Sequence, residues 1–273
     1  MEKEKDFLKT RVGYVESGQI LIRGYPLEEL IGNLTYGGIL YLVLRGELPT
    51  ENEEKMMNAV LGGIVDHFFV NAAVPAARFV VTGNPSSPTA GIAAGILSLG
   101  PVTGSPQGTG EFVEESYKFM KENGLSIEKA AEQIIKKCKE TKRRIPGFGH
   151  RLHPEGDVRA IRLRELARQY EMIGEKIRLY EAINKKLVET SGGKLLPINV
   201  DGMMGAILAE MGIDPLCMGG IGAISFLPGI IAHVAEEIKE PEGASIRRFF
   251  NREVEAKYLG PPERHLSKDR RKK

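Results

Sequence analysis

The sequence predicts an all-α protein. Many stretches repeat apolar residues at the spacing of amphipathic helices, strand-like stretches are few and short, and 273 residues suffice for one or two packed domains. The composition, 42% hydrophobic and 27% charged, is typical of soluble globular chains. A net charge of +2 gives no general attraction to nucleic acid or to a membrane surface, so we expect neither as a partner.

The N-terminal part begins with irregular or hairpin-like chain and continues as helices. Residues 7–25 contain only one short apolar run, which favours a small hairpin. A short helix follows at 27–30, and longer helices are predicted at 35–44 and 51–70. His67 lies near the end of the last of these helices.

The middle of the chain combines helices rich in small residues, a glycine-rich stretch and amphipathic helices. We predict helices at 72–81, 89–99, 111–121 and 126–141. Residues 100–110 are rich in Gly, Pro, Ser and Thr, but they lack the Gly-Lys-Ser/Thr sequence of a phosphate-binding loop. A hinge or an active-site loop is the better interpretation of this stretch.

The C-terminal part is again helical. Pro228 interrupts the apolar stretch 216–235, which is therefore predicted to form two helices. Asp201 lies at the start of a predicted helix over 197–208. Further helices are predicted at 158–170, 175–190, 245–251 and 253–258.

One loop offers side chains suited to chemistry: Ile145-Pro146-Gly147-Phe148-Gly149-His150-Arg151. Pro146 ends the helix before it, and Gly147 and Gly149 let a ligand approach the main chain closely. A histidine side chain on such a loop, here His150, is able to exchange protons near neutral pH, and Arg159 carries a planar fork suited to a carboxylate. From chemistry alone, an ordinary loop histidine remains the alternative.

This loop and three other segments resemble the citrate synthase family. The family signature P-G-F-G-H-R followed by D-P-R is matched here by the loop and by Asp157-Val158-Arg159. Residues 18–30 resemble the family block R-G-Y-x-I-x-x-L, and residues 46–50 resemble G-E-L-P. Asn199-Val200-Asp201-Gly202 closely resembles the lyase module of ATP citrate lyase, and the chain is similar in length to stand-alone citryl-CoA lyases.

The resemblance implies a large helical domain that is interrupted by a small helical domain, with the active site in the cleft between them. Carried over to this chain, the large domain comprises residues 1–103 and 196–273. The small domain then comprises residues 104–195. The resemblance also implies a homodimer that forms through the large domains.

The same resemblance implies three catalytic residues. His150 matches the histidine that hydrogen-bonds the ketone or hydroxyl oxygen of the four-carbon unit, where charge develops during the reaction. His67 stands where the family has a second histidine for that oxygen. Asp201 matches the carboxylate that exchanges a proton with the methyl carbon of the acetyl thioester. The alternatives are a packing role for His67 and a helix-capping role for Asp201.

Substrate-binding residues are implied in the same way. Arg159 matches the arginine that clamps a substrate carboxylate, and Arg151 and Arg248 are further candidates. The CoA thioester would bind along the loop and the basic run before it, at Ile145, Gly147, Phe148, Gly149 and Arg144.

Two departures from the family bear on the reaction. The synthases carry a histidine that polarises the thioester carbonyl, but no histidine occurs here between His67 and His150. The lyase module of ATP citrate lyase lacks that histidine too. Phe226 replaces a second carboxylate-binding arginine of the family. Either the substrate lacks that carboxylate or another arginine binds it, the candidates being Arg247, Arg248 and Arg252.

We therefore expect a carbon–carbon lyase that splits citryl-CoA, or a close 3-hydroxy-3-carboxyacyl-CoA, into acetyl-CoA and oxaloacetate or a related keto acid. A separate citryl-CoA-forming ligase is a candidate partner. One alternative is a citrate or 2-methylcitrate synthase. Another is a non-catalytic dimer of the same fold that binds CoA or a protein.

The remaining Cys and His residues suggest no further chemistry. Cys138 and Cys217 are far apart, which fits a reduced, cytoplasmic protein. The five histidines show no metal-ligand spacing, so we predict no catalytic metal. His153 is expected on a loop surface and His233 in helix packing.

Overall fold

The computed structural model describes residues 8–100, 104–150, 152–192, 195–239, 246 and 257–265. Within these ranges the chain is all-α, as predicted, with one small antiparallel sheet. The α-helices are Leu27–Leu30 (α1), Tyr36–Arg45 (α2), Glu51–Leu61 (α3), Ala73–Gly83 (α4), Pro88–Leu97 (α5), Gln107–Glu122 (α6), Ile127–Glu140 (α7), Val158–Gln169 (α8), Glu175–Thr190 (α9), Val200–Glu210 (α10) and Pro215–Lys239 (α11).

The sheet lies at the N-terminal end of the described chain. Strands Gly13–Glu16 (β1), Gln19–Ile22 (β2) and Tyr25–Pro26 (β3) pair in sequence order, so the expected hairpin gains a third strand. Their registers place Gly13 opposite Ile22 and Leu21 opposite Pro26.

Helix α10 forms the centre of the fold. Its residues Val200 and 202–209 are all buried, and it packs against α6, α8 and α9. A helix that is apolar on every side is stable only inside a core. The fold thus places the first turn of a buried helix, with Asp201 in it, at the bottom of the site described below.

Side-chain caps fix where several helices begin. Thr50 and Glu53 form a reciprocal capping box at α3, and Ser126 accepts the Lys129 N–H at α7 as expected. Asp157 and Asn199 cap α8 and α10. These last two caps set the positions of the helix starts that carry Arg159 and Asp201.

Two predicted helix boundaries are wrong. Helix α3 ends at Leu61, because Gly62 and Gly63 follow it, and His67 lies instead just before a 3₁₀ helix at Phe68–Val70. Helix α6 begins at Gln107, so part of the predicted glycine-rich loop is helical. A glycine in this helix allows close packing, because a Cβ on Gly110 would lie 2.1 Å from the Met218 sulfur.

The predicted helix pair over 216–235 is also wrong, because α11 continues through Pro228. Proline breaks a helix by removing one N–H and crowding the preceding turn. Here the Gly229 N–H donates to the Val65 carbonyl outside the helix at 2.9 Å, and this contact offsets part of the loss. Helix α11 has the length and apolar composition of a membrane span, but it packs on α3, α4, α5 and α6.

The predicted helices at 245–251 and 253–258 lie almost wholly outside the described residues. The division into a large and a small domain remains a prediction.

Candidate active site

The loop at 145–149 is held against the segment that leads into α10. Gly149 donates its N–H to the Pro197 carbonyl at 2.7 Å, and the Gly147 carbonyl accepts the Asn199 N–H at 2.9 Å. Phe148 forms an antiparallel bridge with Ile198. The loop and the start of α10 therefore behave as one structural unit.

Gly147 is required by both backbone conformation and space. Its φ of +81° lies in the left-handed region, which L side chains rarely adopt. A Cβ there would lie 2.2 Å from the Tyr180 hydroxyl and 2.5 Å from Cα of Gly202. Tyr180 also donates to the Pro146 carbonyl at 2.8 Å and stacks on Phe148 with 4.8 Å between ring centroids.

Asp157 joins the starts of α8 and α10. It is fully buried, and its Oδ2 accepts the Val200 N–H at 2.9 Å. The Arg159 guanidinium donates to both carboxylate oxygens, at 2.9 Å each. Burial opposes ionisation, but the hydrogen bonds and charge of Arg159 hold the pKa of Asp157 below its usual value. Asp157 thus fixes Arg159 relative to Asp201, a role that the sequence analysis missed.

Arg159 lies between two imidazoles. Its terminal nitrogens are 3.4 Å from His67 Nδ1 and 3.5 Å from His150 Nε2. The two rings meet edge to face with centroids 5.6 Å apart. Burial, and then the charge of Arg159, lower the pKa of His67, which favours the neutral imidazole near pH 7.

The tautomer of His150 follows from its local contacts. The Leu152 N–H donates to His150 Nδ1 at 3.1 Å, so Nδ1 carries a lone pair. In the neutral ring the proton is therefore on Nε2, the nitrogen closer to Arg159. Arg159 has only donors, so in this tautomer its 3.5 Å contact with Nε2 is not a hydrogen bond. A substrate oxygen that enters between the two groups can accept from both. On its other side the ring stacks on His153, which is half-buried rather than on the surface as expected.

Asp201 lies in the first turn of α10 but does not cap it. The cap is Asn199, whose Oδ1 accepts the Gly202 N–H at 2.9 Å, so the capping alternative for Asp201 is wrong. Asp201 Oδ1 is buried and has no hydrogen-bond partner among the described residues. Burial raises the pKa of Asp201 to about 6, although Arg159 and the Gly104 N–H act in the opposite direction. A carboxyl group with this pKa can both accept and donate a proton near neutrality.

One cavity of about 320 Å³ is lined by His67, His150, Arg159 and Asp201. Asn71, which the sequence analysis missed, also lines this cavity. Its Nδ2 is buried and has no hydrogen-bond partner among the described residues. One wall is apolar and includes Phe226, which is only 3% exposed. The full lining is Ile64, His67, Val70, Asn71, Gly104, Arg144, Gly149, His150, Arg159, Asn199, Val200, Asp201 and Phe226.

A second cavity, of about 430 Å³, lies on the other side of the loop. Phe148 lines this second cavity while Gly149 lines the first, and Arg144 lines both. Its floor is apolar and its edge is basic; the lining residues are Ile135, Cys138, Lys139, Lys142, Arg143, Arg144, Ile145, Phe148, Leu187 and Leu196. An elongated ligand with an apolar middle and anionic groups fits this combination.

The structure brings most of the predicted site residues together. His67, His150, Arg159 and Asp201 line one cavity with Arg144 and Gly149, and Ile145 and Phe148 line the other. Gly147 lies between them in the loop. Arg151 and Arg248 lie outside the described residues, as do Arg247 and Arg252. Within the described residues no cluster of three or more His, Cys, Asp or Glu suits a metal, and the absence of a catalytic metal remains a prediction.

Comparison with known proteins identifies the class to which this fold and site belong. The family model "Citrate synthase, C-terminal domain" matches residues 49–248. The chain therefore belongs to the citrate synthase family.

The curated relatives that match include citrate synthases. Citrate synthase 2 of Bacillus subtilis is 35% identical over 196 residues, which are 71% of this chain and 50% of that protein. The citrate synthase of Synechocystis is 29% identical over 209 residues, again 50% of that protein. The chain thus spans about half the length of these curated relatives.

The solved structures that match include both lyases and citrate synthases. Citryl-CoA lyase from Hydrogenobacter thermophilus matches with a TM-score of 0.83 and 35% identity, covering 97% of this chain and 99% of that one. ATP citrate lyase from Methanothrix soehngenii, solved with citrate and coenzyme A, matches with a TM-score of 0.74 over 96% of this chain and 43% of that one. At 18% identity, the latter likeness concerns the fold alone.

Proposed function

We propose that this protein cleaves citryl-CoA, or a close 3-hydroxy-3-carboxyacyl-CoA, into acetyl-CoA and oxaloacetate or a related keto acid. The observation that carries the proposal is the juxtaposition of His67, His150, Arg159 and Asp201 in one cavity. The match to a citryl-CoA lyase over almost the full length of both chains supports the same reaction.

The cleavage assigns a distinct task to each side chain. Arg159 binds a substrate carboxylate, while His150 Nε2–H and His67 hold the hydroxyl oxygen. The hydroxyl gives its proton to the neutral imidazole of His67 and becomes the keto oxygen as the C–C bond breaks. The bond electrons form the enolate of acetyl-CoA, and Asp201 in its acid form delivers a proton to the enolate carbon. One proton leaves the substrate and one returns, so the reaction is balanced without added water.

The pKa of Asp201 supports its role as the acid. An ordinary aspartate is almost wholly ionised near neutrality, whereas burial raises the pKa of Asp201 to about 6. At pH 7 about a tenth of the free protein then carries the proton that the reaction needs, against about a thousandth for an ordinary aspartate.

The second cavity is suited to the CoA part of the substrate. Its apolar side chains accommodate the pantetheine chain, and Lys142 and Arg144 offer positive charge to the phosphates. Arg143 and Lys139 also line this cavity, but Arg143 pairs with Glu115 and Lys139 donates to the Thr190 carbonyl. Arg144 reaches both cavities, so the thioester end would pass beside the loop towards His150.

A synthase is the second candidate, since the curated relatives are named citrate synthases. The lyase is favoured because no histidine occurs between His67 and His150, a feature in which the chain resembles the lyase module of ATP citrate lyase rather than the synthases. Phe226 further lines the cavity where the family places an arginine, which favours a substrate or a binding mode different from that of the synthases.

Homodimer formation, a cytoplasmic location and supply of the CoA thioester by a separate ligase belong to the same proposal. They follow from the family resemblance and from cysteine usage rather than from any contact in this single chain.

Product analysis by mass spectrometry tests the proposed reaction. The purified protein is incubated with citryl-CoA beside a control without protein. Acetyl-CoA and oxaloacetate in equal amounts, without free CoA, are expected. Free CoA with citrate would assign a hydrolysing, synthase-like site, and an unchanged substrate would assign a different acyl group or a non-catalytic role.

A further inference from the structure

We infer that helix α11 positions His67, with Gly229 and His233 as positioning residues that do not themselves touch the substrate. The inference rests on the proposed function, because His67 is assigned to the substrate oxygen there. It concerns the segment 65–69, which lies outside any α-helix and whose place must be fixed by other contacts.

The first contact is made by main-chain atoms. The Gly229 N–H donates to the Val65 carbonyl at 2.9 Å. Gly229 follows Pro228, where the proline cannot continue the regular helix ladder. A Cβ on Gly229 would lie 2.4 Å from the Val65 oxygen and 2.8 Å from Asp66 Oδ1. The glycine therefore permits a contact that any larger residue would push apart.

The second contact is a side-chain pair one helical turn further along α11. His233 Nε2 lies 3.1 Å from Asp66 Oδ1, and Arg78 approaches the other ring nitrogen, Nδ1, at 3.4 Å. The Asp66 carboxylate can only accept, so this shorter contact places a proton on His233 Nε2, which donates it to Oδ1. Asp66 in turn uses Oδ2 to accept the Phe68 N–H at 3.2 Å. The residues on both sides of His67 are thus held by one carboxylate that α11 fixes.

The backbone of residues 65–69 is strained at Phe68, and a strained conformation needs surrounding contacts to hold it. Phe68 has a φ of +49°, a left-handed conformation that is unfavourable for an aromatic residue. Strain of this kind persists only when surrounding contacts hold it. Phe69 makes two such contacts: its ring centroid lies 5.8 Å from the His233 ring centroid and 5.2 Å from the central guanidinium carbon of Arg78.

The position of the 65–69 segment decides whether His67 reaches the substrate oxygen. Arg159 is 3.4 Å from His67 Nδ1, so a shift of the segment by an ångström would take His67 out of reach of a shared substrate oxygen. Binding of CoA on the other side of the 145–149 loop would be left intact.

Kinetics of Gly229→Ala tests the inference, with Gly220→Ala as the matched control. Gly220 lies in the same helix, and a Cβ there would meet nothing within 4 Å. We expect Gly229→Ala to lower kcat about tenfold with KM changed less than about twofold, and Gly220→Ala to leave both unchanged. In a His67→Asn background, Gly229→Ala should lower kcat less than about twofold further. An equal loss in both backgrounds, or none in either, would overturn the positioning role.

Hydrogen exchange supplies a readout that does not depend on turnover. In His233→Asn, the amides of residues 65–70 should exchange at least about tenfold faster than in the original protein, while those of α10 stay unchanged. Unchanged exchange in the 65–70 segment would contradict the inference. If the unsubstituted protein leaves citryl-CoA intact, the proposed function is wrong. The hydrogen-exchange comparison still decides, independently of turnover, whether α11 holds the segment around His67.

Discussion

At the scale of single residues, Asp201 carries the largest share of the proposed chemistry. Its Oδ1 is buried and has no partner within the described chain, and its pKa is raised to about 6 by burial. Replacement by Asn keeps the shape but removes the proton that cleavage needs. We expect Asp201→Asn to lower kcat by about 10²–10⁴-fold.

A matched control separates this loss from a general effect of the substitution. Asp214 is remote from the cavity, and its Oδ1 accepts the Leu216 N–H, which an Asn oxygen can also do. Asp214→Asn should keep normal turnover, and Asp201→Asn should keep normal CoA affinity by calorimetry. Turnover that survives Asp201→Asn would remove the carboxyl group from the mechanism.

The raised pKa of Asp201 also predicts a pH-dependent stability. The pKa rises from the ordinary 3.8 to about 6 on folding, so the folded state binds more protons between these values. The stabilisation is therefore complete below about pH 4 and is lost as pH rises through 6. At pH 8, Asp201→Asn should be more stable than the unsubstituted protein by about 3 kcal/mol.

Urea denaturation at several pH values measures this difference. The stabilisation by Asp201→Asn should grow between pH 4 and 6 and then level off. A difference that does not depend on pH would mean that the carboxyl group is not buried as the structure describes.

At the scale of structural elements, the 145–149 loop depends on Gly147. An added Cβ would require an unfavourable φ of +81° and would also meet Tyr180 and Gly202. We expect Gly147→Ala to lower the free energy of unfolding by about 2–4 kcal/mol.

Gly124→Ala is the control that measures the cost of the left-handed backbone conformation without any steric clash. Its φ is +57°, and a Cβ there would meet nothing within 4 Å. Its cost should be only about 1 kcal/mol. Equal costs for the two variants in urea unfolding would show that the close approach of the loop to α10 does not matter for stability.

The elements also explain what the sequence could predict. Apolar periodicity located most helices, and the loop motif located His150 and Arg159. The continuity of α11 through Pro228 could not be predicted, because the Val65 carbonyl that accepts the Gly229 N–H comes from a distant part of the chain. The same holds for Asp157, since its bond to the Val200 N–H exists only after α8 and α10 pack together.

At the scale of the whole molecule, the loop separates two cavities that the proposed substrate occupies together. Arg144 lines both, which gives it a place beside the phosphates and the thioester arm. We expect Arg144→Gln to weaken CoA binding about five- to tenfold and to reduce its salt dependence.

Calorimetric titration with CoA at two salt concentrations checks this expectation. Lys118→Gln is the control, because Lys118 is exposed on α6, pairs with Glu122 and lines neither cavity. Equal affinities for the two variants would place CoA elsewhere on the molecule.

In the proposed reaction the C–C bond breaks without hydrolysis, and Asp201 returns the proton to the enolate carbon. A single turnover of citryl-CoA in D₂O, followed by mass spectrometry of the thioester product, tests both parts directly. We predict acetyl-CoA with one deuterium in its methyl group, no free CoA, and no product from Asp201→Asn. Free CoA with citrate, or deuterated acetyl-CoA formed equally fast by Asp201→Asn, would contradict the account.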